Sequence, residues 1–169
     1  SERFLGELRE VDPTRLSAAD ARDHFLLARE LQLGVDGFGF HAWMIPVDGR
    51  WGPHSQIAQM GELATFADLD DYEAYLKRLA GVPGSLLGTM EVMRAGVEAG
   101  VVPPKVTVLQ VPLQVRAVRT QLRDTLRRPF ARMPKSIAEA DRARLVAEFE
   151  ARLDPIDTVL TEFEAFFAN

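Results

Sequence analysis

The sequence predicts an all-α protein: helical hairpins packed as a bundle, with long kinked helices and one ordered loop rich in Gly, Pro and Trp. Two observations carry this. Apolar residues recur at helical spacing through most of the chain. The gaps between those stretches hold Gly and Pro where helices stop and start. The connections are short, so neighbours pack as antiparallel pairs, and roughly five to seven helices are expected within a single domain over residues 1–169.

The first helical stretch is "SAADARDHFLLARELQLGVDGF". Ser17 can cap it, with Asp20 placed well for the positive N-terminus. Ala21, Phe25, Ala28, Leu31 or Gln32, Val35 and Phe38 give the stripe, and Gly34, Gly37 and Gly39 predict fraying or an end nearby. The segment "FHAWMIPVDGRWGPHSQIAQMG" is the ordered loop, with one helical turn after Pro53. A loop carrying Trp43, Met44, Ile45 and Trp51 must bury something, in this domain or in a missing one.

In "FADLDDYEAYLKRLAG", Asp68 caps a helix whose stripe is Tyr72, Tyr75, Leu76 and Leu79. Lys77 and Arg78 suit its C-terminal end, and Gly81 closes it. A new helix is expected from Pro83, with Leu86, Met90, Met93 and Val97 inward and its end at Gly100. Pro103 and Pro104 prevent further winding, and Pro104 can open the next helix. "KVTVLQV" is β-branched enough for a short strand. Val108, Val111, Val115, Val118, Leu122 and Leu126 keep helical spacing, however, and one helix kinked at Pro112 is preferred. "RRPFARMP" closes it as a loop. Ser136 and Glu139 form an S-x-x-E capping box before a last long helix. Its face is Leu145, Phe149, Leu153, Ile156, Leu160, Phe163 and Phe167, and Pro155 either kinks or splits it. The pattern is still helical at Asn169. Together with the start "SERFLGELRE", which lacks a Met and an apolar signal core, this reads as a fragment of a larger chain.

The totals exclude several classes. The chain has 169 residues, 47% hydrophobic and 27% charged, with a formal net charge of −5. An acidic balance argues against nucleic acid as a partner, since phosphate binding needs a basic face. There are no cysteines, hence no disulfide, thiolate metal site or cysteine nucleophile. No apolar run of about 18 residues exists, so no membrane span is expected.

Residues able to do chemistry are few. The histidines are His24, His41 and His54, and none has a second ligand at zinc-helix spacing. His24 reads as a helix-surface or boundary residue. His41 and His54 share the Trp-bearing loop, and a self-contained hydrolase would need them to converge. Ser55 follows His54 directly, which is not the geometry of a nucleophile and its base. Asp68, Asp70 and Asp71 sit where a helix begins, as capping and dipole partners. Arg116, Arg119, Arg123 and Arg127 form a polar ridge, read as a helix face pairing with acidic residues; an anion- or partner-binding ridge is the alternative. "GFGF" and "DGRWG" lack the spacing of a phosphate loop.

Three blocks in order, "DDYEAYLKRLAGVPG", "MRAGVEAGVVPPKV" and "RPFARMPKSIAEADRARL", resemble the bacterial domain-of-unknown-function 885 family. "LREVDPTRLSAADARDHFLLARELQ" and "WGPHSQIAQM" extend the resemblance over nearly the whole chain. It implies a long helical parent similar to zinc metallopeptidases. The zinc would sit on a His-Glu-x-x-His helix in the C-terminal part, with the Glu as general base. That motif is absent here, so the resemblance implies no catalytic, metal or cofactor residue in this chain, and zinc only in the parent. Pro112 departs from the uninterrupted helix the family implies. Export signals in many relatives favour a periplasmic parent.

The expected role is a non-catalytic wall or lid of the parent's cleft, with Trp51, His54 and Arg78 as candidate cleft residues. Its partners would be the rest of the parent chain and a peptide substrate. Surface uncovered by missing partners would favour a homodimer. The alternative is a helical interaction module acting through its Arg-rich or aromatic face.

Overall fold

The computed structural model describes residues 1–167, and among them there are helices, turns and loops but no strand. The chain is all-α. It divides into two compact units, Ser1–Met44 and the residues from Ile45 onward.

In the first unit, α1 (Glu2–Arg9) packs on α2 (Ala18–Phe38). Between them a short 3-10 turn, Pro13–Arg15, is capped by Asp12, whose carboxylate accepts from the Thr14 amide at 2.9 Å. Ser17 caps α2 as expected: its hydroxyl oxygen accepts from the Asp20 amide and its proton goes to the Asp20 carboxylate. α2 runs through Gly34 and Gly37 and stops at Phe38, so those glycines weaken the helix without breaking it. Its stripe is rotated from the expected one. His24 Nε2 lies 3.0 Å from the Leu8 carbonyl, and Arg9 donates to Gln32. Those contacts turn Ala21, His24, Ala28, Leu31 and Val35 toward α1. Phe25 and Phe38, expected inside, are left exposed, because a helix as short as α1 covers only a narrow strip.

The second unit holds the main core. The long helices α4 (Leu69–Glu98) and α7 (Glu139–Phe166) are its principal pair. α6 (Val111–Arg127) packs on α7, and the short α3 (Pro53–Ile57) lies against α4 and α6. α5 (Lys105–Val108) is a single turn. The stripe read for the last helix is buried from Leu145 to Phe163, and Phe167 caps it half-buried. The expected continuation of the helical pattern to Asn169 falls outside the described residues.

Further expectations are corrected. The break at Gly81 and Pro83 does not occur, and α4 is continuous through both. The inward face runs without a gap from Tyr72 through Leu79, Val82 and Leu86 to Met93. Burial of that face outweighs the lost Pro83 amide bond. Pro112 does not kink one helix. α5 ends at Val108, and Pro112 stands in the first turn of α6, where its missing N–H is no loss. The strand alternative falls with it. The Ser136–Glu139 box is not formed: α7 begins at Glu139 after Ala138, so Ser136 lies too far back to cap. Val97 is exposed, because Gly96 takes the inward place in the last turn of α4. Pro155, left open between kink and split, sits within an unbroken α7.

Other signals resolve simply. Gly100 has a φ of 72°, and the Val101 amide donates back to the Gly96 carbonyl at 2.8 Å, closing α4 in a Schellman turn. The loop after α6 is a 3-10 turn, Arg128–Arg132. Tyr72 and Tyr75 donate their hydroxyls to the Pro129 and Leu126 carbonyls, each at 3.1 Å, and fix that turn on α4. Burial pushes the Tyr75 phenol well up, so it remains a donor. No helix among the described residues is long and apolar enough to cross a membrane.

Candidate functional site

The Gly/Pro/Trp loop is ordered by its own polar atoms. The Asp48 carboxylate accepts from the Arg50 and Trp51 amides, at 2.6 and 2.7 Å, which hold it below the usual carboxylate range. The Gly49 amide donates to the Thr107 carbonyl at 2.6 Å, and its carbonyl accepts from the Gln114 side-chain amide at 2.8 Å. That bond orients Gln114, so its oxygen faces His54 Nε2 at 3.1 Å. His54 must then carry its proton on Nε2.

His54 is only 1% exposed, behind the loop, with Phe163 of α7 beside its ring. Its Nδ1 has no partner among the described residues, and a Cβ on Gly52 would stand 2.8 Å from it. Burial lowers the imidazole pKa, against smaller opposing effects of the Gln114 bond and the Asp48 charge. His54 is therefore neutral at pH 7 and serves as a strut joining the loop to α6. It does not face a cleft.

The other two candidate cleft residues are at the surface. Trp51 is 65% exposed. Arg78 borders a groove of about 340 Å³ between α3 and α4 that Trp51 does not line. Ile57, Met60, Val82 and Leu86 make the apolar floor of this groove. Gln56, Arg78 and Ser85 make its polar rim, and their side chains form no hydrogen bond or ion pair with any described residue. An apolar hollow with a few converging polar groups is the usual form of a binding site. Arg78 was read as a last-turn cation of a helix closed at Gly81 and as a candidate cleft residue; α4 runs on to Glu98, so Arg78 stands mid-helix. Gln56 and Ser85 were not singled out, although Arg78, Val82 and Ser85 share one face of α4 at i, i+4 and i+7. Gln114 had no local signal, since its partners lie 60 and 65 residues away.

The remaining reactive side chains are already engaged. Ser55 donates its hydroxyl to the Gly52 carbonyl at 2.8 Å. Asp68 caps α4 by accepting from the Asp71 amide, and Asp71 accepts from the Ala67 amide. The arginine ridge is a surface row of ion pairs between α6 and α7, with Arg116, Arg123 and Arg127 more than half exposed. Arg116 pairs with Glu164, Arg119 with Asp157 and Glu164, and Arg123 and Arg127 with Glu150. Arg119 holds the Asp157 carboxyl below its usual range, and Arg116 does the same for Glu164. His41 has a φ of 55° and lies beside the Trp43 ring in the first unit. Among the described residues no three His, Cys, Asp or Glu side chains converge as a metal requires. His24 and His54 are bonded to the Leu8 carbonyl and to Gln114.

Comparison with curated proteins gives no match. Comparison with solved structures gives none either. A family model described as bacterial protein of unknown function, DUF885, matches residues 1–169, end to end. The blocks that carry the resemblance thus lie on α2, the ordered loop, α4 and the turn into α7, and the chain belongs to the DUF885 family.

Proposed function

We propose that this chain is the non-catalytic helical part of a metallopeptidase-like protein, and that its α3–α4 groove contributes a wall of the peptide cleft. The observation that supports this is the groove's unpaired rim of Gln56, Arg78 and Ser85 over an apolar floor. It stands out in a chain whose serine, acids and histidines at other candidate positions are spent on caps, turns and struts. The zinc helix and its general base would lie in the parent outside these residues. No residue here takes a catalytic role, and none holds the metal.

The test is a peptidase assay with zinc analysis, run side by side on this chain and on the longer parent. Activity and about one zinc per chain in the parent alone would support the proposal, because catalytic zinc needs three convergent protein ligands. Activity or stoichiometric zinc in this chain alone would overturn it.

A second reading is a helical interaction module, acting through its apolar face; the arginine ridge already pairs with carboxylates of α7. Leu26, Leu27 and Leu33 lie exposed along α2 and favour it. Self-association of the chain, abolished by Leu26→Glu with Leu33→Glu while the parent shows no peptidase activity, would replace the first reading with this one.

A further inference from the structure

We infer that the α3–α4 groove binds a short extended peptide segment carrying one large apolar side chain and one carboxylate, with the carboxylate on Arg78. The inference rests on the groove being a peptide wall and adds the chemistry it selects. Arg78 is the one charged residue among those lining the groove. Its guanidinium offers a planar fork of donors, the geometry that matches a carboxylate. It meets no acid within the described residues, although the chain carries a net charge of −5 and the arginines of α6 all find carboxylates. A basic segment would find repulsion at this rim and no counter-charge.

The floor sets the second requirement. Ile57, Val82 and Leu86 close the floor with buried aliphatic side chains, and the half-buried Met60 offers its accessible apolar surface. Met60, unbranched and polarisable, adapts to different apolar shapes, so the floor selects a class and not one residue. Length is set by α4. Arg78 and Ser85 are two turns apart, about 10 Å along the axis. An extended segment of about three residues spans that distance. The carboxylate then sits on Arg78, and the far peptide group reaches the Ser85 hydroxyl or the Gln56 amide.

The test uses three capped tripeptides titrated into the chain by calorimetry: acetyl-Phe-Ala-Glu-amide, its Gln analogue, and acetyl-Ser-Ala-Glu-amide. The expected result is at least about fivefold tighter binding of the first than of either control, from one charge-assisted pair and one buried ring. Arg78→Gln, an exposed substitution, should leave the melting temperature unchanged. It should also erase the Glu-over-Gln preference and spare binding of the Gln peptide. Val82→Glu should weaken all Phe peptides. No binding, equal binding of the three, or a Glu preference that survives Arg78→Gln would overturn the inference. The cleft-wall reading fails separately: if the parent cleaves a Phe-Ala-Glu substrate with a KM indifferent to Arg78→Gln, the groove binds peptide but is no part of the cleft.

Discussion

His54 illustrates how far a single residue can be read. Its type suggested a ligand or a cleft group. Its neighbours make it a neutral strut between Gln114, Phe163 and Gly52. The sequence could not show this, because the residue that fixes its tautomer lies on another helix. A consequence follows for pH. The folded imidazole titrates below its ordinary value of 6.5, so below that pH the unfolded chain binds the proton first. The stability contribution is fully present above about 6.5 and is lost as pH falls toward the depressed folded value. The depressed carboxylates act only nearer pH 4, outside this window. Urea melts should therefore show a loss between pH 7 and 5.5, cut by about half or more in His54→Asn. Gly52→Ala should destabilise by about 1–3 kcal/mol at pH 7, since its Cβ would press on the buried His54 ring and on Val47; chemical denaturation measures it.

At the scale of elements, periodicity was the dependable signal and punctuation the misleading one. The stripes from Tyr72 to Met93 and from Leu145 to Phe163 were legible because burial follows helical spacing whatever lies between. Pro83 and Gly81 read as a boundary, yet the packed face on either side keeps the helix whole. Pro112 read as a kink and proved a beginning, since the two roles differ only in whether the preceding turn has partners to pack on. The Ser136–Glu139 box had the right letters two residues too early. Both interior prolines leave a carbonyl without its amide donor. Pro155 is exposed, so replacing it removes no packing. Pro155→Ala should raise stability by about 1–2 kcal/mol, seen as a higher melting temperature with α7 intact by circular dichroism.

For the whole molecule, the sequence suggested one domain, and the contacts group into two units. The continuous core, from Val47 to Phe163, lies wholly in the second. The first has only Leu5 fully buried among its apolar side chains, while Phe25, Leu26, Leu27, Leu33, Phe38 and Phe40 stay open to solvent. A length of 44 residues with so little apolar burial cannot offset its own chain entropy. A protein beginning at Ile45 should melt cooperatively with native helicity, whereas residues 1–44 alone should show little helix. Failure of the shortened protein to fold would mean that the first unit contributes to the core's stability. The groove on α3 and α4 belongs to the second unit and should keep its peptide preference there.

The pairing of α4 with α7 also has a cost in time. α6 and α7 adjoin in sequence, but α4 must wait for a partner that the ribosome delivers only after α5, α6 and the turn at Arg128–Arg132. Until then Tyr72, Leu79 and Met90 form a greasy strip on a nascent helix that still lacks the cover of α7. Chaperone capture or aggregation during synthesis would target that strip, well before any substrate meets the finished protein.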